Sequence, residues 1–216
     1  MIYPKHSLII GLFLLSTLVG CGQTNTQNNS ILSTTPSSTA QKLTGLTKIQ
    51  GNGVSLSLPD SFTGGDPIKD LDAIAAKLKT INPAYSEKLQ VLKKSPIPIF
   101  LLAFDISNPS SQLLTNVGIL TEKVPKTVTL EKYLDDGSKN LSKGYKIIEK
   151  KVITVNQIKS GRIIAEASDP QINLAQVFYT IPKGDTYWLV TYSTSKEELQ
   201  KRLPIFEQSI NTIEIK

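Results

Sequence analysis

The chain's one cysteine constrains most of what can fold here. Cys21 ends a leader in which Lys5 and His6 precede a nearly continuous apolar run, residues 8–18, and then Leu18-Val19-Gly20. His6 is also the only histidine in 216 residues. Whatever folds after position 21 must do so with no disulfide, no thiol and no imidazole. Ser-His-Asp and Cys-His catalysis, and His- or Cys-ligated metals, are excluded there together. At 39% hydrophobic and 19% charged the chain can still bury a core, and with only 6% aromatics that core rests on Ile, Leu and Val.

The leader reads as a signal peptide, because its apolar run is shorter than the ~20 residues that span a bilayer. Leu18-Val19-Gly20-Cys21 resembles the bacterial lipobox, whose cysteine receives a diacylglyceryl group before the bond preceding it is cut. Residues 1–20 are therefore expected to be removed and Cys21 to carry acyl chains such as palmitate. Two or more chains on one cysteine anchor stably, since each buried CH2 contributes about 0.8 kcal/mol. The expected location is the extracytoplasmic side of a membrane: periplasm, thylakoid lumen or cell surface.

Residues 21–46 are mostly Gln, Thr, Asn and Ser, and Lys42 is their only charge. Such a segment reads as a flexible tether. All 18 acidic residues lie from Asp60 onward, so residues 47–216 are expected to form the folded domain.

Val54-Ser55-Leu56-Ser57-Leu58 alternates as a half-buried strand does. Asp66-Pro67 and Asn82-Pro83 are helix-start signals. Ile68, Leu71, Ala75 and Leu78 follow the first at helical spacing, and Tyr85, Leu89 and Leu92 the second. Lys93, Lys94, Pro96 and Pro98 close this helical hairpin, while Gly64-Gly65 reads as a turn. The run 99–106 is apolar except for Asp105, as in a strand covered on both faces. Asn108-Pro109-Ser110-Ser111 is a turn, and 113–124 the next strand. Leu130, Tyr133, Leu134 and Leu141 make a weaker helix interrupted by Gly137. Strands are expected at 145–155, 162–167, 174–181 and 187–193, the last two joined at Lys183-Gly184-Asp185-Thr186. Ser195 and Glu198 form a capping box, Pro204 kinks or restarts the helix that follows, and Ile213 and Ile215 end the chain as a short strand. The sum is an antiparallel-rich α+β domain.

Three phrases in this order carry a resemblance: Leu58-Pro59-Asp60-Ser61-Phe62 closing a strand; Asn116-Val117-Gly118-Ile119-Leu120 before Thr129-Leu130-Glu131-Lys132-Tyr133-Leu134; and Gly184-Asp185-Thr186-Tyr187-Trp188 before Glu207-Gln208-Ser209-Ile210. The pattern resembles the PsbP-like (Mog1/PsbP) superfamily, which includes cyanobacterial lipoproteins and an extrinsic photosystem II protein. The resemblance implies a central antiparallel sheet sandwiched between helices, with residues 66–95 as an inserted helical hairpin. Histidine metal ligands proposed in that family have no counterpart after Cys21.

Lys143, Lys146, Lys150 and Lys151, with Lys139 before them, are candidates for contacting an acidic partner. Their alternative role is that of lysines guarding a strand edge. Tyr187, Trp188 and Tyr192 are candidates for lining a cleft. Asp135-Asp136 and Glu197-Glu198 are read as helix-surface charge; Asp66, Asp70 and Asp72 match calcium by ligand type only, with no EF-hand-like loop and distal Glu to support a site. No catalytic residue, metal, cofactor or nucleic-acid partner is expected. The function expected is that of a monomeric, non-enzymatic accessory protein, held to a membrane by its N-terminal lipid and acting on an unknown protein partner. It would assemble or stabilise a complex such as photosystem II. A lipoprotein binding cell-envelope material or a small ligand near Trp188 is the alternative, and a carboxylate-only hydrolase a third.

Overall fold

The computed structural model describes residues 45–81, 83–92, 98–108 and 113–216. Cys21, the leader and most of the tether lie outside them, as do Asn82, Lys93, Lys94, Pro96 and the turn residues Pro109, Ser110 and Ser111.

In chain order the elements are β1 (Leu46–Gln50), β2 (Val54–Pro59), β3 (Phe62–Gly65), α1 (Pro67–Lys79), α2 (Pro83–Leu92), β4 (Ile99–Asp105), β5 (Asn116–Lys123), α3 (Leu130–Leu141), β6 (Tyr145–Val155), β7 (Ile158–Ala167), β8 (Ala175–Lys183), β9 (Thr186–Thr194), α4 (Leu199–Ile210) and β10 (Glu214–Ile215). Seven strands form one antiparallel sheet in the order β3-β4-β5-β9-β8-β7-β6, and β1-β2-β10 form a smaller one.

Period-two alternation divides the core between the two faces of the large sheet. Leu101, Ala103, Val117, Ile119, Val177, Tyr179, Val190 and Tyr192 meet the small sheet and α4 on one face. On the other, Leu102 and Phe104 pack under α1 and α2, while Ile163, Ala165 and Phe178 pack under α3. This is the α+β domain that the residue pattern predicts and the sandwich that the PsbP-like resemblance implies, with the small sheet joining α4 on one face. The α3 contact is close: a Cβ on Gly161 of β7 would lie 2.4 Å from a Leu134 methyl.

Asp66 caps α1 by accepting from the Ile68 N–H at 2.9 Å, with Pro67 at the first helical position. The lysines of its last turn face the negative end of the helix dipole. The β8–β9 turn pivots on Gly184 at φ +66, with Lys183 opposite Thr186.

Several expectations are corrected. Gly64-Gly65 is not a turn. Both glycines are paired in β3, where a Cβ on Gly64 would lie 2.3 Å from that of Ala103 on β4. Ile68 is 76% exposed, and Ile74 takes its place on the buried face of α1. Gly137 does not interrupt α3, which runs on with that residue buried. Only half of the Ser195–Glu198 box forms: Ser195 Oγ accepts from the Glu198 N–H at 3.3 Å, but the Glu198 carboxylate turns to Arg202. The helix therefore starts at Leu199, and it continues through Pro204 as one element.

Candidate functional site

The candidate lysines fall on and beside β6, the terminal strand of the large sheet. At eleven residues β6 is as long as any strand described, and its register with β7 slips between Ile147 and Glu149. Ile148 is the extra residue of a β-bulge. A bulge inverts side-chain parity beyond it. Ile147 stands opposite Ala165, on the α3 face, and Lys150 opposite Ile163, on that same face. Lys146 and Lys151, opposite Glu166 and Arg162, point to the small-sheet face. Simple alternation would have placed Lys146 and Lys150 together; the bulge separates them and joins Lys146 with Lys151.

These lysines are exposed, and most have local partners. Lys150 pairs with Asp135 on α3, Lys151 with Glu149 at 3.0 Å, and Lys143 reaches Asn140 Oδ1 at 3.4 Å from the turn after α3. Lys146 has no ion pair among the described residues. The Asp135-Asp136 pair diverges as helix-surface neighbours do: Asp136 holds Lys132 at 2.5 Å, and the Lys150 ammonium beside Asp135 pulls its carboxyl below the usual range.

Behind this edge lies a charged cluster that no sequence motif marks. Arg162 on β7 donates to Glu149 at 2.8 Å and to Glu207 on α4, with its own side chain 7% exposed. Its cross-strand neighbour Tyr179 is buried beside it, and burial pushes that phenol up to about 12 against the opposing pull of the Arg162 guanidinium. A second pair fixes the start of α4. Arg202 donates to the buried Asp105 at 2.5 Å and to Glu198 at 2.9 Å. A cavity of about 140 Å3 opens there, lined by Asp105, Arg202, Ser107, Thr115 and Thr194 among others. Its polar groups already satisfy one another: Thr115 and Thr194 share a 2.9 Å hydrogen bond, and Asp105 also accepts from the Ser107 N–H.

The proposed aromatic cleft is not assembled. Trp188 and Tyr192 point to the small-sheet face and Tyr187 to the α3 face, because neighbours on a strand face opposite ways. All three are buried. Trp188 meets the ring of Phe100 edge-on at 5.2 Å, Tyr187 that of Tyr133 at 4.8 Å, and Tyr192 stacks on Phe206 at 4.5 Å. Two of the Asp66, Asp70 and Asp72 set serve the start of α1. Asp66 is used as a cap, and Asp70 accepts from the Asp66 N–H at 2.9 Å. Among the described residues no group of three His, Cys, Asp or Glu side chains is placed to hold a metal ion, and no helix is long and apolar enough to cross a membrane.

This architecture is a PsbP/Mog1-type fold. Cyanobacterial PsbP (CyanoP) from Synechocystis superposes with a TM-score of 0.51 at 8% identity, over 84% of this chain and 98% of that one. LpqN of Mycobacterium tuberculosis, a protein involved in cell envelope biogenesis, gives 0.49 at 11% identity over 79% and 90%. The Saccharomyces cerevisiae Ran-binding protein Mog1p gives 0.45 at 7% identity over 76% and 90%. No family model and no curated protein matches the sequence.

Proposed function

We propose that this chain is a lipid-anchored, extracytoplasmic accessory protein that works without catalysis, by protein contacts at a membrane. Its role would be the assembly or stabilisation of a membrane complex of the photosystem II kind. One observation carries the reading: a lipobox-like Leu18-Val19-Gly20-Cys21 and a polar tether precede a domain of PsbP-type fold in a single chain. The anchor confines the domain to one surface and raises its effective concentration near membrane partners, and the tether sets its reach. The charges on the domain support docking as the mode of action, since the long edge strand β6 displays lysines.

Metabolic labelling with a fatty acid, followed by crosslinking in membranes, tests this. Wild type should label and crosslink to membrane proteins, and Cys21→Ala should lose both. Equal labelling of the two proteins refutes the anchor, and an unchanged crosslinking pattern refutes the docking role assigned to it.

A further inference from the structure

We infer that the outer edge of β6 is a strand-addition site for an acidic, extended segment of a partner protein. The inference rests on the docking role just proposed and names the surface and the chemistry of the partner.

The two ends of the large sheet differ. β3 is four residues long, the kind of short edge that does not invite pairing. β6 runs for eleven residues, and among the described strands it pairs on its β7 side alone. Lysines and a bulge are the usual protection of such an edge, but protection does not call for apolar side chains beside them. Of the four large hydrophobic residues exposed in the described structure, Ile148 (44%), Val152 (40%) and Ile158 (37%) all lie on β6 or at the start of β7. An added strand would cover Ile148 and Val152 while its backbone paired with the outward-facing amides and carbonyls of β6.

Charge selects the occupant. β6 carries Lys146, Lys150 and Lys151 against Glu149 alone, with Lys143 just before it. A second copy of β6 would bring this excess against itself, whereas an acidic segment would neutralise it. The local pairs of Lys150 and Lys151 are half-exposed and of the kind that contributes little, so their exchange for partner carboxylates costs little. The bulge sets the pattern required. Lys151 and Lys146 share one face four register positions apart, about 13 Å at 3.3 Å per residue, and Lys150 presents its charge on the other face. A partner strand keeping the register of β7 would meet them with two adjacent carboxylates and a third beyond, at positions i, i+1 and i+4.

The test uses the full chain and a synthetic valine- and threonine-rich peptide with carboxylates in that pattern. Binding should slow amide exchange along β6. Lys146→Glu with Lys151→Glu should weaken binding about tenfold or more, and N-methylation of alternate peptide amides should abolish it. Equal binding by the N-methylated peptide would show charge attraction without strand addition and overturn the inference. So would no binding by the unmodified peptide, or β6 protection by self-association in its absence. None of these outcomes bears on acylation of Cys21, so failure here is distinct from failure of the anchoring role.

Discussion

Arg162 on β7 grips the carboxylate of Glu207 on α4 from a position nearly closed to solvent, and so ties the last helix to the far end of the large sheet. Glu149 on β6 completes the cluster at 2.7 Å. One guanidinium thus joins three elements, and two carboxylates share its charge. Removing one member of a buried pair costs about 3–5 kcal/mol, but Glu207 and Glu149 are 44% and 32% exposed and can turn to water.

Arg162→Met should therefore destabilise the domain by about 2 kcal/mol, below the fully buried range. Glu207→Gln should cost about 1 kcal/mol, since Glu149 still neutralises the arginine. Urea unfolding at neutral pH measures both. Equal midpoints for Arg162→Met and wild type would mean that packing alone holds α4 in place.

Parts of this architecture are legible in the sequence because they depend on neighbours along the chain. The run 99–106 reads as a strand covered on both faces, and β4 buries Leu101 against α4 and the small sheet and Leu102 against α1 and α2. Asp66-Pro67 announces a helix because a cap is a local hydrogen bond. β1 escapes such reading because only Ile49 of its five residues is buried, and β3 because its two glycines carry no side-chain pattern. The Ile148 bulge leaves no trace in composition, yet it decides which lysines share a face. The Arg162–Glu207 and Asp105–Arg202 contacts join residues 45 and 97 positions apart, and no spacing rule reaches that far.

Asp105 gives a pH test. Burial alone would raise its carboxyl, but hydrogen bonds from Ser107 and Ser61 and the charge of Arg202 outweigh this and hold it below the usual range. A carboxyl whose pKa is lower folded than unfolded contributes stability above the unfolded value, about 3.9. That contribution is lost as pH falls through the folded value. Asp105→Asn should thus cost about 1–2 kcal/mol at neutral pH, and the gap to wild type should close below about pH 4. Stability curves that stay parallel through the acid range would remove Asp105 from the acid response. Glu122 acts in the opposite sense. Burial raises its carboxyl against the Tyr133 hydroxyl that donates to it at 2.6 Å, so its protonation favours the fold.

The bulge predicts an asymmetry between two single-residue deletions in β6. Ile148 is the residue that β7 leaves unopposed, so deleting it lets Tyr145 to Ile147 and Glu149 to Val155 keep their partners and faces. The strand straightens, Glu149 stays opposite Ile164 beside Arg162, and Lys150 still reaches Asp135. That variant should melt within about 1 kcal/mol of wild type, because the register and the Arg162 network are both kept. Deleting Val152 also removes one residue, and the chain can absorb it by closing the bulge. Residues 149–151 then move one place along β7, which turns each to the opposite face, and Ile148 takes the place opposite Ile164. Glu149 swings to the α3 side, Arg162 loses one of its two carboxylates, and Lys150 leaves Asp135. This deletion should cost about 2 kcal/mol or more, in the range expected when a buried ionic network is broken. Parallel melts of the two deletions, with amide exchange at Arg162 and its neighbours, distinguish the outcomes. Equal losses would mean that β6 slides freely on β7 and that the bulge does not fix which lysines share a face.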